Sequence, residues 1–167
     1  MPSITAKQLR GKKLSRTEQI TPQINRKEAT EDVKHLGKFL DTWNVAVFDI
    51  ETSGLGADFC HVLCVGVKHL GNPNVNILRL DDYPEYYKDM ANDKRLVIDA
   101  RELLNKADVL VHFNGEAFDF PFLDTRLTMH GEPRIALVHS IDLLPIVKRK
   151  LRLNSNRLAT VASALDL

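Results

Sequence analysis

Cysteine is nearly absent from this 167-residue chain, with Cys60 and Cys64 the only two. Both fall in a predicted strand, where residues four apart share a face but stand too far apart to bridge. Reduced, buried thiols of an intracellular, cytoplasmic protein are therefore expected. Long apolar runs are missing too. No stretch approaches the roughly eighteen apolar residues of a membrane span, and the N-terminus lacks the apolar core of a secretory signal. No membrane partner is expected. Strong net charge is also missing: the balance is +1. It is unevenly spread, however, with nine Lys/Arg against four Asp/Glu in residues 1–40 and fourteen against eighteen in residues 41–167. A basic approach to a mildly acidic domain is compatible with nucleic-acid contact.

The residues that are present make an ordinary globular chain, at 44% hydrophobic and 27% charged, long enough for one domain with a real core. Residues 1–30 are polar and basic, with Lys7, Arg10, Lys12, Lys13, Arg16, Arg26 and Lys27, and read as a flexible arm. Residues 31–167 read as the domain. Val33, Leu36, Phe39 and Leu40 keep the spacing of a short helix face before the first strand, Val45–Ile50. His61–Lys68 and Asn74–Leu80 read as strands joined by the turn signal Gly71-Asn72-Pro73, hence antiparallel neighbours. The periodicity then predicts a helix over 94–107, a parallel strand Val109–His112, a helix over 120–130, a strand Ile135–Ser140 and a helix Leu143–Lys150 capped by Asp142 or Ser140. Asn156 is placed to cap a last helix. The order β-β-β-α-β-α-β-α is an α/β sheet whose first three strands meander and whose later ones cross over.

Val45-Ala-Val-Phe-Asp49-Ile-Glu51-Thr-Ser-Gly54-Leu55 is the stretch that carries chemistry. Strand side chains alternate, so Asp49 and Glu51 share a face while Ile50 returns to the core. Two adjacent like charges need neutralisation, and an oxygen-only pair suits Mg²⁺ or Mn²⁺. Gly54 and Gly56 then interrupt the strand and leave room for a ligand. A second stretch, His112-Phe-Asn114-Gly-Glu-Ala-Phe118-Asp119-Phe-Pro121, places Asp119 at a helix start, where the dipole favours a carboxylate. Both stretches lie at strand carboxyl ends, where ligands gather in α/β sheets.

Phe48-Asp-Ile-Glu-Thr-Ser-Gly-Leu55 resembles the first exonuclease motif of the DEDD superfamily, which has a ribonuclease H-like fold. Asn114-Gly-x-x-Phe118-Asp119-x-Pro121 resembles its second, as in the proofreading domains of family B DNA polymerases and in stand-alone exonucleases close to them. The stretch from Asp142 to Thr160 resembles the segment after the second motif in the stand-alone proteins, so that the resemblance covers about residues 43–167. It implies a mixed five-stranded sheet flanked by helices and a two-metal, Mg²⁺- or Mn²⁺-dependent 3′–5′ exonuclease acting on DNA or RNA 3′ ends. Asp49 would bridge both metals, Glu51 would bind the metal that activates water, and Asp119 would hold the second. Thr52 and Leu55 match positions that contact the terminal nucleotide. Asn114 and Phe118 match positions that order the strand, with core packing an equal reading for Phe118 and Leu55.

One departure matters. The family's fourth carboxylate and general base lie on a later helix, and this sequence ends at Leu167 without that pattern, so the C-terminal helix is expected to be missing. Asp142 reads as a helix cap. A second chain supplying the missing helix is one expectation. The other is a catalytically impaired nucleic-acid-binding or partner-binding remnant of the fold. His61, His69 and His130 lack ligand spacing and read as surface or strand-end residues, while His112 and His139 end strands near the site without an expected catalytic role. The run Lys148-Arg-Lys-Leu-Arg152, with Arg157, reads as a solvated helix end or a phosphate track.

Overall fold

A computed structural model describes residues 35, 37, 38, 42–136 and 139–167. The chain divides into two units, Met1–Leu36 and Gly37–Leu167, and the strands of the described residues belong to the second. The basic arm, and most of the helix expected before the first strand, lie outside the described residues.

Strand β1, Val45–Thr52, is organised by alternation: Ala46, Phe48 and Ile50 are buried while Val47, Asp49 and Glu51 are exposed. β2 (Val62–His69) lies antiparallel to it, with Phe48 opposite Val67 and Ile50 opposite Val65, so the buried residues of both strands share one face. β3 (Asn76–Arg79) adds a second antiparallel neighbour. It is shorter than the run 74–80 suggests, because buried Leu80 begins a 3₁₀ turn. Helix α1 (Lys94–Leu104) carries the chain back to β4 (Val109–His112), parallel to β1. Helix α2 (Asp119–Met129) stops at Gly131, whose φ of 73° lies in the left-handed region. β5 (Ser140–Asp142) pairs parallel with β4, and α3 (Leu143–Lys150) and α4 (Leu158–Ala164) complete the chain. The sheet order is β3-β2-β1-β4-β5. The expected α/β architecture, a three-strand meander and then parallel crossovers, is what forms.

The core lies between one sheet face and helices α1 and α2. Ala46, Phe48, Ile50, Val65, Val67 and Leu110 of the sheet meet Leu96, Val97, Ala100 and Leu104 of α1 and Phe120, Leu123 and Leu127 of α2. Each large side chain buried there contributes about 1.5–3 kcal/mol. Beneath the helices lies a charged cluster. Asp93, fully buried, accepts from Val62 N–H (2.8 Å), from Arg126 Nε and Nη2 (2.9 and 2.7 Å) and from the His130 ring (2.8 Å). It ties the start of β2 to the N-terminus of α1 and the C-terminus of α2.

Four local expectations are corrected. The strand expected at Ile135–Ser140 forms instead at Ser140–Asp142. Ile135 N–H is taken by Asp124 Oδ1 (3.1 Å) and Ala136 N–H by Asn105 Oδ1 (3.0 Å), so side chains satisfy this backbone. Asn156 is not the cap of α4, since Arg157 holds that place without a side-chain bond. Cys60 precedes β2 and packs under Gly54, so only Cys64 is a strand residue. His130 is no surface residue but a partner of buried Asp93.

Candidate active site

The end of β1 delivers Asp49 and Glu51 to one face on either side of buried Ile50. Opposite Asp49 stands Gly66, and nothing would lie within 4 Å of a Cβ placed there, so the carboxylate looks onto open space. Opposite Glu51 stands Cys64. Burial pushes the Cys64 thiol up, Arg79 opposes the shift, and the charges of Glu51 and Asp49 add to it. A thiol shifted upward stays protonated near neutral pH, so Cys64 adds no charge beside Glu51.

Asp119 comes to the same place by a different route. The parallel ladder between β1 and β4 ends at the pair Val47–Val111, which leaves Ile50 N–H beyond the last strand partner. Asp119 Oδ1 takes up that N–H at 3.1 Å, so the first residue of α2 continues the edge of the sheet. Asp119 is only 5% exposed. Burial, with the nearby Asp49 charge second and Asp142 adding, pushes its carboxyl group up to about 6 against the hydrogen bonds from Ile50 N–H and its own N–H. Asp49 is raised as well, by partial burial first and by Glu51 next. The three acids thus share one strand end, and Asp49 feels the charge of Glu51 while Asp119 feels that of Asp49.

Behind them, the turn before α2 is built tightly. Asn114 takes a left-handed φ of 70° and its N–H donates to Asp142 Oδ1 (2.9 Å). The same oxygen caps α3 through Leu144 N–H (2.9 Å), the capping role expected of Asp142. Gly115 N–H donates to His112 Nδ1 (3.0 Å), and a Cβ at Gly115 would meet that nitrogen at 2.6 Å. His112 is buried, and burial lowers its basicity against the pull of Asp142 and Glu116. Since Nδ1 accepts, Nε2 carries the proton toward Ser140 Oγ (2.7 Å), and Ser140 donates onward to Glu116. Asp142, His112 and Ser140 therefore do not form a nucleophilic triad: the histidine faces the hydroxyl as a donor, not as a base.

The other candidates surround this strand end. Thr52 Oγ1 donates to Gly54 O (2.7 Å) and shapes the turn after β1. Leu55 is 86% exposed on that turn, which rejects core packing for it. Phe118 is half-buried, with its ring 5.6 Å from that of Phe122 and packed at the edge of the core. Sequence reasoning missed Asp93 and Arg126, the ion pair beneath the site, because neither stands in a motif.

In donor chemistry the three acids suit a divalent cation such as Mg²⁺ or Mn²⁺, since Asp49, Glu51 and Asp119 offer only oxygen. Their spacing is looser than a finished site: among the described residues no group of three or more His, Cys, Asp or Glu side chains is close enough to hold a metal ion. No helix among the described residues is long and apolar enough to cross a membrane.

Comparison with known proteins bears on the fold. No curated protein matches this sequence. Among solved structures, the family B DNA polymerase from the hyperthermophilic archaeon Pyrobaculum calidifontis is similar, with a TM-score of 0.62 and 20% identity over 74% of this chain. The match covers 18% of the polymerase, so this chain corresponds to less than a fifth of that protein. In all, 202 solved chains match, so the fold alone assigns no single activity. The RNase_H superfamily matches residues 46–167, most of the chain and all five strands apart from the first residue of β1. With the mixed sheet and its flanking helices, that match makes this chain a member of the RNase_H superfamily.

Proposed function

We propose that this chain is a metal-dependent 3′–5′ exonuclease domain that hydrolyses phosphodiester bonds at DNA or RNA 3′ ends. One observation carries the proposal. The two acids of β1 and the acid of α2 share a strand end, and burial first, with charge repulsion second, raises two of the three. Asp49, Glu51 and Asp119 are the residues that would hold Mg²⁺ or Mn²⁺. When bound, paired cations supply an activated water, a neutralised phosphate and a stabilised leaving oxygen. The protein's own part is positional: Asp119 stays beside β1 through Ile50 N–H, and Gly66 keeps the approach to Asp49 clear. Asn114 and Phe118 stand on the turn that leads into Asp119, and Thr52 shapes the turn carrying Leu55, as strand-ordering residues would.

A strand labelled at its 5′ end and given Mn²⁺ is expected to shorten as a ladder from its 3′ end. Cleavage at internal positions from the outset would reject exonuclease polarity. The second reading, a catalytically impaired nucleic-acid-binding remnant, is favoured by the loose spacing of the three acids. Retained strand binding with no cleavage in Mn²⁺ or Mg²⁺ would select it. A second chain supplying a further helix has no support in the fold or the comparisons and forms no part of the proposal.

A further inference from the structure

Charge in this domain is divided along the chain. Residues 41–142 carry nine Lys/Arg against seventeen Asp/Glu, whereas residues 143–165 carry five Lys/Arg and no acid. The five are Lys148, Arg149 and Lys150 in the last turn of α3, then Arg152 and Arg157 before α4, and all are exposed. In the body of the domain cations meet acids: Arg79 pairs with Asp81 (2.7 Å), Lys94 with Glu132 (3.3 Å) and Arg126 with Asp93 (2.7 Å). Among the described residues, none of the five has such a partner. The helix that carries three of them starts at the candidate site. Asp142 Oδ1 accepts from both Leu144 N–H and Asn114 N–H (2.9 Å each), which fixes the first turn of α3 to the turn leading into Asp119. Eight helical residues span about 12 Å, so the cations begin about one helix length from that turn.

Cations in a last helical turn complement the helix dipole, which is reason enough for Lys148, Arg149 and Lys150. The dipole does not reach beyond that turn, so it gives no reason for Arg152 and Arg157. After α3 the backbone is extended at Leu151 (φ −120°, ψ 145°), and exposure alternates. Leu151, Leu153 and Ser155 are half-buried, while Lys150, Arg152 and Asn154 are exposed. The leucines thus seat the segment and turn a polar row outward, its neighbouring members about 7 Å apart. A row of outward donors carrying unpaired positive charge suits a repeating anion. The cations of α3 gather at its end instead of lying along one face, unlike those of a helix resting in a lipid surface. For a member of the RNase_H superfamily the fitting polyanion is the phosphate backbone of a nucleic-acid strand. The acidic body repels phosphates, so affinity for a strand must come from where positive charge is concentrated.

We infer that residues 148–157 form a phosphate track, about one helix length from the acids, that holds the backbone of a nucleic-acid strand; the inference rests on the nucleic-acid reading of the site. Strand affinity is measured in EDTA, which prevents cleavage, by fluorescence anisotropy with 5′-labelled single strands of about fifteen nucleotides. Salt is varied from about 0.05 to 0.2 M. The triple variant Lys150→Gln, Arg152→Gln, Arg157→Gln loses two or three phosphate contacts. It should flatten the slope of log affinity against log salt by roughly 1.4–2.1, equivalent to about 25- to 130-fold in affinity at 0.1 M salt. Lys150→Arg, Arg152→Lys, Arg157→Lys keeps the charges and should keep the slope. Lys88→Gln, Lys106→Gln, Arg134→Gln removes the same charge from exposed positions of the body and should leave the slope unchanged. Should the first triple lose its fold by circular dichroism, Arg152→Gln alone is expected to flatten the slope by about 0.7. An unchanged slope in the folded variant would reduce the segment to a solvated helix end and overturn the inference. Equal flattening by the Lys88, Lys106 and Arg134 triple would overturn it too, since net charge alone would then account for binding. So would lost binding to phosphatidylglycerol–phosphatidylcholine vesicles with strand affinity unchanged, which marks a lipid surface. If the parent shortens strands in Mn²⁺ but binds them with no salt dependence, the inference fails and the nuclease reading stands. If it neither binds nor cleaves any strand, both fail.

Discussion

At the residue scale, Asp119 shows most plainly how position sets chemistry. It is an acid at a helix start, buried where it receives one strand N–H and pushed up to about 6 by burial and by Asp49. The sign of its contribution comes from linkage. A carboxyl group whose folded pKa lies above its unfolded value costs stability when both states are ionised, and the cost disappears as pH falls below the unfolded pKa. Asp119→Asn keeps an oxygen for Ile50 N–H and loses the charge. In EDTA it should be more stable than the parent at pH 7–8 by about 1–3 kcal/mol, with the gain shrinking toward pH 4. Urea unfolding at several pH values checks this. A variant less stable than the parent at pH 8 would show that the charge is compensated in a way the geometry does not contain. Phe59 belongs at the same scale: it stands 91% exposed on the loop that follows β1, and no motif in the sequence marks it.

At the scale of elements, legibility tracked periodicity. β1 and β4 form where alternation and apolar runs place them, and α1 and α2 begin within a residue of their expected starts. The misplacement of β5 has a physical cause. Ile135 offers the apolar signal of a strand, but its burial is achieved by a loop pinned to Asp124 and Asn105, which no local pattern announces. The Asp93–Arg126–His130 cluster was invisible for the same reason, since its members lie 33 and 37 positions apart. Burial alone would raise Asp93, but Arg126, the Val62 N–H and His130 outweigh it and hold the carboxyl below the usual range. A depressed folded pKa means stability that is present above the unfolded pKa and lost as pH falls through the folded one. Asp93→Asn leaves the Arg126 charge buried without its counter-ion and should cost about 3–5 kcal/mol at pH 7. The deficit relative to the parent should narrow only below about pH 4. Because Arg126 also holds Ala57 O, the loop carrying Phe59 should loosen, visible as faster amide exchange at Phe59 and Cys60. Parent-like stability and exchange would refute the cluster as the anchor of that loop.

At the scale of the whole molecule, the sequence pattern located the architecture because motif and sheet order agree. A strand carrying two acids and a helix beginning with a third come together here because β1 and β4 are parallel neighbours. The candidate site was legible to that extent: Asp49, Glu51 and Asp119 lie at one strand end, with Thr52 its last residue and Leu55 on the turn beyond it. How closely three carboxylates approach one another was not legible, because repulsion, burial and a hydrogen bond to Ile50 together decide it. The basic arm at residues 1–30 lies outside the described residues, and its contact with phosphates stays a proposal. The central claim is that these acids together cleave nucleic acid. The direct measurement is the initial rate of strand shortening in Mn²⁺ by the parent chain and by Asp49→Ala, with folding of both checked by circular dichroism. Loss of one charge-stabilising group at a reacting phosphate should slow cleavage at least about a hundredfold. Equal rates in the two proteins would contradict the account, because the cleavage would then be occurring without the acid on which the proposed site is centred.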